Sequence, residues 1–67
     1  MIDYHDLMGE RVKVIDKDGD VFIGPIISYE VGIMEDLDYD SIGIKTGDGY
    51  CESVPIPDIV SCEVLED

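Results

Sequence analysis

The residues of this chain with chemical potential are mostly carboxylates. Asp16, Asp18 and Asp20 alternate along Asp16-Lys17-Asp18-Gly19-Asp20, a pattern that invites a hard divalent cation. An EF-hand loop, however, needs Gly at its sixth position and a bidentate Glu at its twelfth. Counted from Asp16, those places hold Val21 and Ile27. A tight hairpin also lacks the length to wrap an ion, so the spacing predicts a turn. The second acidic run, Glu35, Asp36, Asp38 and Asp40, has no base within it. Such a run suits weak cation binding, a basic protein surface or a solvated loop. Ile33, Met34 and Leu37 lie in the same run. Apolar groups rimmed by charge mark an interface when exposed, or cap the sheet when folded back.

The remaining candidates are few. His5 is the only histidine, with no second imidazole or cysteine at metal-ligand spacing, and reads as a surface or helix-end residue. Cys51 and Cys62 are separated by ten residues. Two thiols cannot supply the four ligands of a structural zinc site. As residues of neighbouring strands with no base beside them, they read as small buried hydrophobes and not as nucleophiles. The glycines sit singly in turns, which leaves no phosphate-binding loop. The expectation is a chain with no catalytic residue, no metal and no cofactor.

Bulk properties narrow the class. Sixty-seven residues make one small domain, 1–67, and a chain this short buries only about 60% of its unfolded surface. Seventeen acids against four bases give a net charge of -13. That charge repels phosphate backbones and anionic headgroups, because nucleic-acid binding is driven by Lys and Arg releasing counterions. It suits a basic protein partner, mimicry of nucleic-acid charge, or simple solubility. With 45% hydrophobic residues the chain is not a disordered tail. No stretch approaches the roughly 20 apolar residues of a membrane span, and none reads as a signal peptide. The default expectation is a cytoplasmic address with reduced thiols.

The elements that must position these groups are short strands. Asp3 is placed to cap a helical turn over Tyr4–Met8, ended by Gly9. Period-two alternation starts at Arg11, with Val12 and Val14 on one face. Lys17-Asp18-Gly19-Asp20 is hairpin-turn chemistry. A second strand follows from Val21 to about Glu30, with a bulge or sharp bend at Gly24-Pro25, because Pro25 has no N–H for a ladder. Val31 to Asp40 reads as a loop, with or without a distorted strand end. Strands then follow at Ser41–Thr46 and Tyr50–Val54 around Gly47-Asp48-Gly49. A 3₁₀-like turn at Pro55-Ile56-Pro57-Asp58 leads to a last strand, Ile59–Leu65, with Val60, Cys62 and Val64 alternating against Ser61 and Glu63. Five short strands with regular turn signals predict an all-β fold, a small, strongly bent five-stranded barrel with a short N-terminal helical turn.

The order of these elements resembles Sm-like (LSM) proteins. The residues that carry the resemblance are Asp6 to Val14, then Asp18-Gly19-Asp20-Val21-Phe22-Ile23-Gly24, then Ile27 to Glu30. In that family a short helix leads into a strand, an Asp-Gly turn and a second strand bent at a Gly. The tail Ile56 to Leu65 is similar to the family's closing segment. SH3-type barrels share much of the pattern. The family's RNA chemistry does not transfer. Its Asp-x-hydrophobic-Asn stretch is replaced by Asp38-Tyr39-Asp40-Ser41, and its Arg-Gly or Lys-Gly pair by Ile56-Pro57-Asp58. An aspartate where a phosphate should approach is repulsive.

Together these readings point to a non-catalytic, acidic small barrel that acts as a protein interaction or assembly module. The expected contacts are Tyr29, Met34, Glu35, Asp36, Leu37, Asp38, Tyr39 and Asp40, in a groove beside Val31–Asp40. The resemblance implies self-association through strand edges. The alternatives are an Sm-like RNA-associated subunit and a nucleic-acid-mimicking decoy that occupies a basic protein. The charge argues against direct nucleic-acid or membrane binding.

Overall fold

A computed structural model describes residues 3–65. The chain forms a five-stranded antiparallel sheet in the order β4-β3-β2-β1-β5, with β1 at Arg11–Asp16, β2 at Val21–Glu30, β3 at Ser41–Lys45, β4 at Cys51–Pro55 and β5 at Ile59–Val64. Short 3₁₀ turns occupy Tyr4–Leu7, Gly32–Glu35 and Ile56–Asp58. No helix among the described residues is long and apolar enough to cross a membrane. The all-β expectation holds at this level, but the sheet is not closed. β4 and β5 lie at its opposite edges and do not pair with each other. This corrects the expectation that Cys51 and Cys62 come from neighbouring strands.

The ten residues of β2 join the two halves of the sheet. Val21–Pro25 pair with β1 and Ile26–Glu30 with β3. A Cβ at Gly24 would collide with the backbone carbonyl of Lys45, so the glycine permits the two halves to approach here. The ladder to β1 runs without a register shift through Gly24 and Pro25. The extra residue is Ile27, where the pairing steps from Ile26–Ile44 to Ser28–Gly43. That shift reverses the alternation and puts Tyr29 opposite Ile42, on the core side.

Six residues form the buried core: Val12, Val14, Ile26, Ile42, Ile44 and Val54. All are β-branched, stiff at χ1 and suited to a pleated surface. Each contributes about 1.5–3 kcal/mol of transfer free energy. Tyr4, Leu7, Phe22, Tyr29, Ile56, Ile59 and Cys62 pack around them, partly buried.

The last strand departs from its expected alternation. The β1–β5 register shifts between Ile15–Ser61 and Asp16–Ile59, which leaves Val60 as the extra residue. Val60 is accordingly 71% exposed, while Ile59 packs against the core instead. The thiols differ as well: Cys62 is half-buried and Cys51 is exposed, which corrects its reading as a buried hydrophobe.

Candidate functional site

Val31–Asp40 links β2 to β3 and has a defined internal structure. Its 3₁₀ turn, Gly32–Glu35, ends at Asp36 in the left-handed region (φ 59°), a conformation Asp tolerates because its short side chain can bond locally. The Leu37 N–H then donates to the Gly32 carbonyl at 2.9 Å. Gly32 is buried, and a Cβ there would run into the carbonyl of Tyr39. The residue must be glycine for the two ends of the loop to meet.

Asp40 holds the segment closed. Its Oδ1 accepts from the Gly32 N–H at 2.8 Å and its Oδ2 from the Tyr29 hydroxyl at 2.7 Å. Its own carbonyl accepts from the Ile56 N–H at 2.9 Å, which ties the loop to the third 3₁₀ turn. The hydrogen bond from Tyr29, then that from Gly32, holds the Asp40 carboxyl below the ordinary value of 3.8, and His5 acts in the same direction. The Tyr29 phenol is pushed above its ordinary 10.0, first by the bond to Asp40. At neutral pH, then, a carboxylate accepts from a protonated phenol, a charge-assisted bond. His5 stacks on the Tyr29 ring at a centroid distance of 3.8 Å and 26°, and its Nδ1 lies 3.5 Å from Asp3 Oδ1. Asp3 also caps the first turn by accepting from the His5 N–H.

What this clasp presents is apolar and acidic. Met34 is 83% and Ile33 79% exposed, and Glu35, Asp36, Leu37, Asp38 and Tyr39 are exposed around them. The apolar residues therefore do not fold back over the sheet. Of the expected contact residues, Met34, Glu35, Asp36, Leu37, Asp38 and Tyr39 present side chains outward, while Tyr29 and Asp40 act from beneath as the fastening. A separate open groove of about 680 Å³ lies between the first turn and β5, lined by Tyr4, Tyr29, Ile56, Ile59, Val60 and Cys62 among others. Only Tyr29 is common to that groove and the expected contact residues. The sequence reading put the contacts in one groove, and the structure divides them.

His5 and Gly32 are the members of the site that the sequence reading missed. The partners that tie them into the site, Tyr29 for His5 and Asp40 for Gly32, lie eight or more residues away, so no local pattern announces them. The half-buried Cys62 thiol in the groove is raised above its ordinary value by burial. It is an unpromising nucleophile. Among the described residues, Asp16, Asp18 and Asp20 bring carboxylate oxygens within 4.8 Å of one another. Asp16 Oδ1 is already engaged, accepting from the Asp18 and Asp20 N–H groups at 3.0 and 2.9 Å.

Comparison with protein-family models, with curated proteins and with solved structures finds no match.

Proposed function

We propose that this protein is a non-catalytic, acidic interaction and assembly module on a small barrel of Sm-like or SH3-like type. Its partner surface is the loop Val31–Asp40, fastened from beneath by Tyr29. The observation that carries this reading is the exposure of Ile33 and Met34 on a segment fastened by Asp40 and rimmed by Glu35, Asp36 and Asp38. An apolar tip displayed by an ordered loop loses little conformational entropy on docking. The carboxylates select a basic protein surface. The test is capture of binding proteins by the intact chain and by a chain whose residues 33–39 are replaced with Gly and Ser. Loss of the captured basic proteins is expected, and retention of the same set would sink the assignment.

The outer edges of β4 and β5, which pair with no further strand among the described residues, support self-association by strand addition. Sedimentation tests this, and a strict monomer at high concentration removes it. A second reading, a decoy that mimics nucleic-acid charge, is favoured by the net charge of -13. It predicts that captured proteins are nucleic-acid binders displaced by added DNA or RNA. A gel shift with single-stranded RNA at about 50 mM salt, where weak electrostatic binding is visible, would instead favour an RNA-associated subunit.

A further inference from the structure

Four bases serve this whole chain. Lys17 is 3.4 Å from Asp58 and tied to it. Lys13 faces Glu63 across the β1–β5 pairing. Arg11 and Lys45, like Lys13, form no ion pair among the described residues, although acids outnumber bases by about four to one. Both line a hollow of about 260 Å³ where the two halves of the sheet meet. Its other walls are Ile23, Gly24, Pro25 and Thr46 with the turn glycines, and no carboxylate of the described residues lines it. Ile23 is 41% exposed, so the hollow has an apolar wall as well as a cationic rim. The nearby Asp48 carboxylate is engaged within its own turn by the Thr46 hydroxyl.

This surface is the counterpart of the loop described above. The loop carries an apolar tip, Ile33 and Met34, with carboxylates beside it; the hollow carries an apolar wall with cations beside it. They sit at opposite ends of β3, since the loop leads into Ser41 and the hollow begins at Lys45. At about 3.3 Å per residue the ends of β3 are about 13 Å apart, so a chain does not fill its own hollow. A small free anion would gain nothing from the apolar wall. The loop of a second copy brings several carboxylates at once and an apolar group to seat. Acids distant from the contact are screened at physiological salt, where the Debye length is about 8 Å.

We infer that the occupant of the Arg11–Lys45 hollow is the Ile33–Asp38 segment of the loop of a second copy of this chain. The contact is head-to-tail, with different surfaces on the two copies, so it propagates through successive copies and differs from strand addition between β4 and β5. It rests on the reading of the loop as a partner surface and identifies one partner.

Charge reversal tests it, by sedimentation velocity at up to about 1 mM protein in about 0.15 M salt, with circular dichroism to verify that each variant folds. The wild-type chain is expected to associate reversibly. R11E/K45E and E35K/D38K should each weaken association about tenfold or more. Mixing the two variants in equal amounts should restore it, because each loop then meets a hollow of opposite charge. A wild-type monomer, or a mixture that fails to associate, overturns the inference. Association that survives both reversals but is lost in S61P, on the outer strand β5, also overturns it and leaves the strand-edge route standing. If the wild type is monomeric while the Gly-Ser loop chain still loses captured partners, the loop assignment survives alone.

Discussion

The Asp16–Asp20 turn and the Val31–Asp40 loop are both acidic, and each hangs on one aspartate that accepts two hydrogen bonds. In the turn, Asp16 accepts from the N–H groups of Asp18 and Asp20, two and four residues away. In the loop, Asp40 accepts from Gly32 and Tyr29, eight and eleven residues away. The first arrangement closes a hairpin and leaves no large apolar group within the turn. The second brings distant parts of the chain together and holds Ile33 and Met34 out in solvent. Similar composition therefore does opposite things. A short-range acceptor completes a turn, while a long-range one builds a display surface.

The glycines of the two segments should separate them most sharply. Gly32→Ala forces a Cβ into the Tyr39 carbonyl, and backbone cannot step aside as a side-chain tip can. We expect about 3 kcal/mol of destabilisation, read from the urea midpoint. Gly19→Ala meets open space but sits at φ +84°. Its loss should be about 1–2 kcal/mol, purely from the left-handed backbone. Equal losses at the two positions would mean that the loop is no more tightly closed than the turn.

That contrast also explains what could be read in advance. The hairpin at Asp18-Gly19, the 3₁₀ turn at Ile56–Asp58 and the capping of the first turn by Asp3 are local, and their residues spell them out. The strands also follow from alternation until a register shift intervenes. One extra residue at Ile27 and one at Val60 reverse the alternation, and no residue type at either position signals an insertion. The loop's composition marked it as the candidate site. Its fastening by Tyr29, Gly32 and Asp40 was not legible, because it depends on β2 and β3 already being paired. Cys51 and Cys62 were misplaced for a related reason: strand order in a sheet is a long-range property.

A middle-sized effect should appear in acid. The folded carboxyl of Asp40 is depressed below 3.8, so the native state holds fewer protons than the unfolded chain just below that value. The clasp thus contributes fully above about pH 5 and is lost as pH falls through the depressed value. Asp40→Asn should flatten this part of the stability profile, as followed by urea denaturation between about pH 2 and 6. At the other end, the Tyr29 phenol is raised above 10.0, so its contribution persists through that value and is lost as pH climbs past the folded one. Tyr29→Phe should reduce the alkaline limb, leaving the part that the raised Tyr4 and Cys62 contribute. If either variant left its own limb unchanged, the hydrogen bond between the two residues would not be what closes the loop.

The smallest expected effect falls on His5, and it distinguishes a clasp built by three groups from one built by four. Its ring lies against Tyr29 at 3.8 Å, and its side chain is well exposed, 62% by area. A stacked aromatic pair contributes about 0.5–1.5 kcal/mol beyond area burial, and exposure argues for the low end. His5→Ala should therefore lower stability by about 0.5 kcal/mol. The loss should vanish in a Tyr29→Ala background, because a double-mutant cycle isolates the pair. His5→Phe retains a ring but not the imidazole beside Asp3, and should recover most of the loss at neutral pH. Recovery by Phe would assign the effect to stacking, with the fastening left to Tyr29, Gly32 and Asp40. Failure of that recovery would assign it to the Asp3 contact and make the first 3₁₀ turn a fourth member of the clasp.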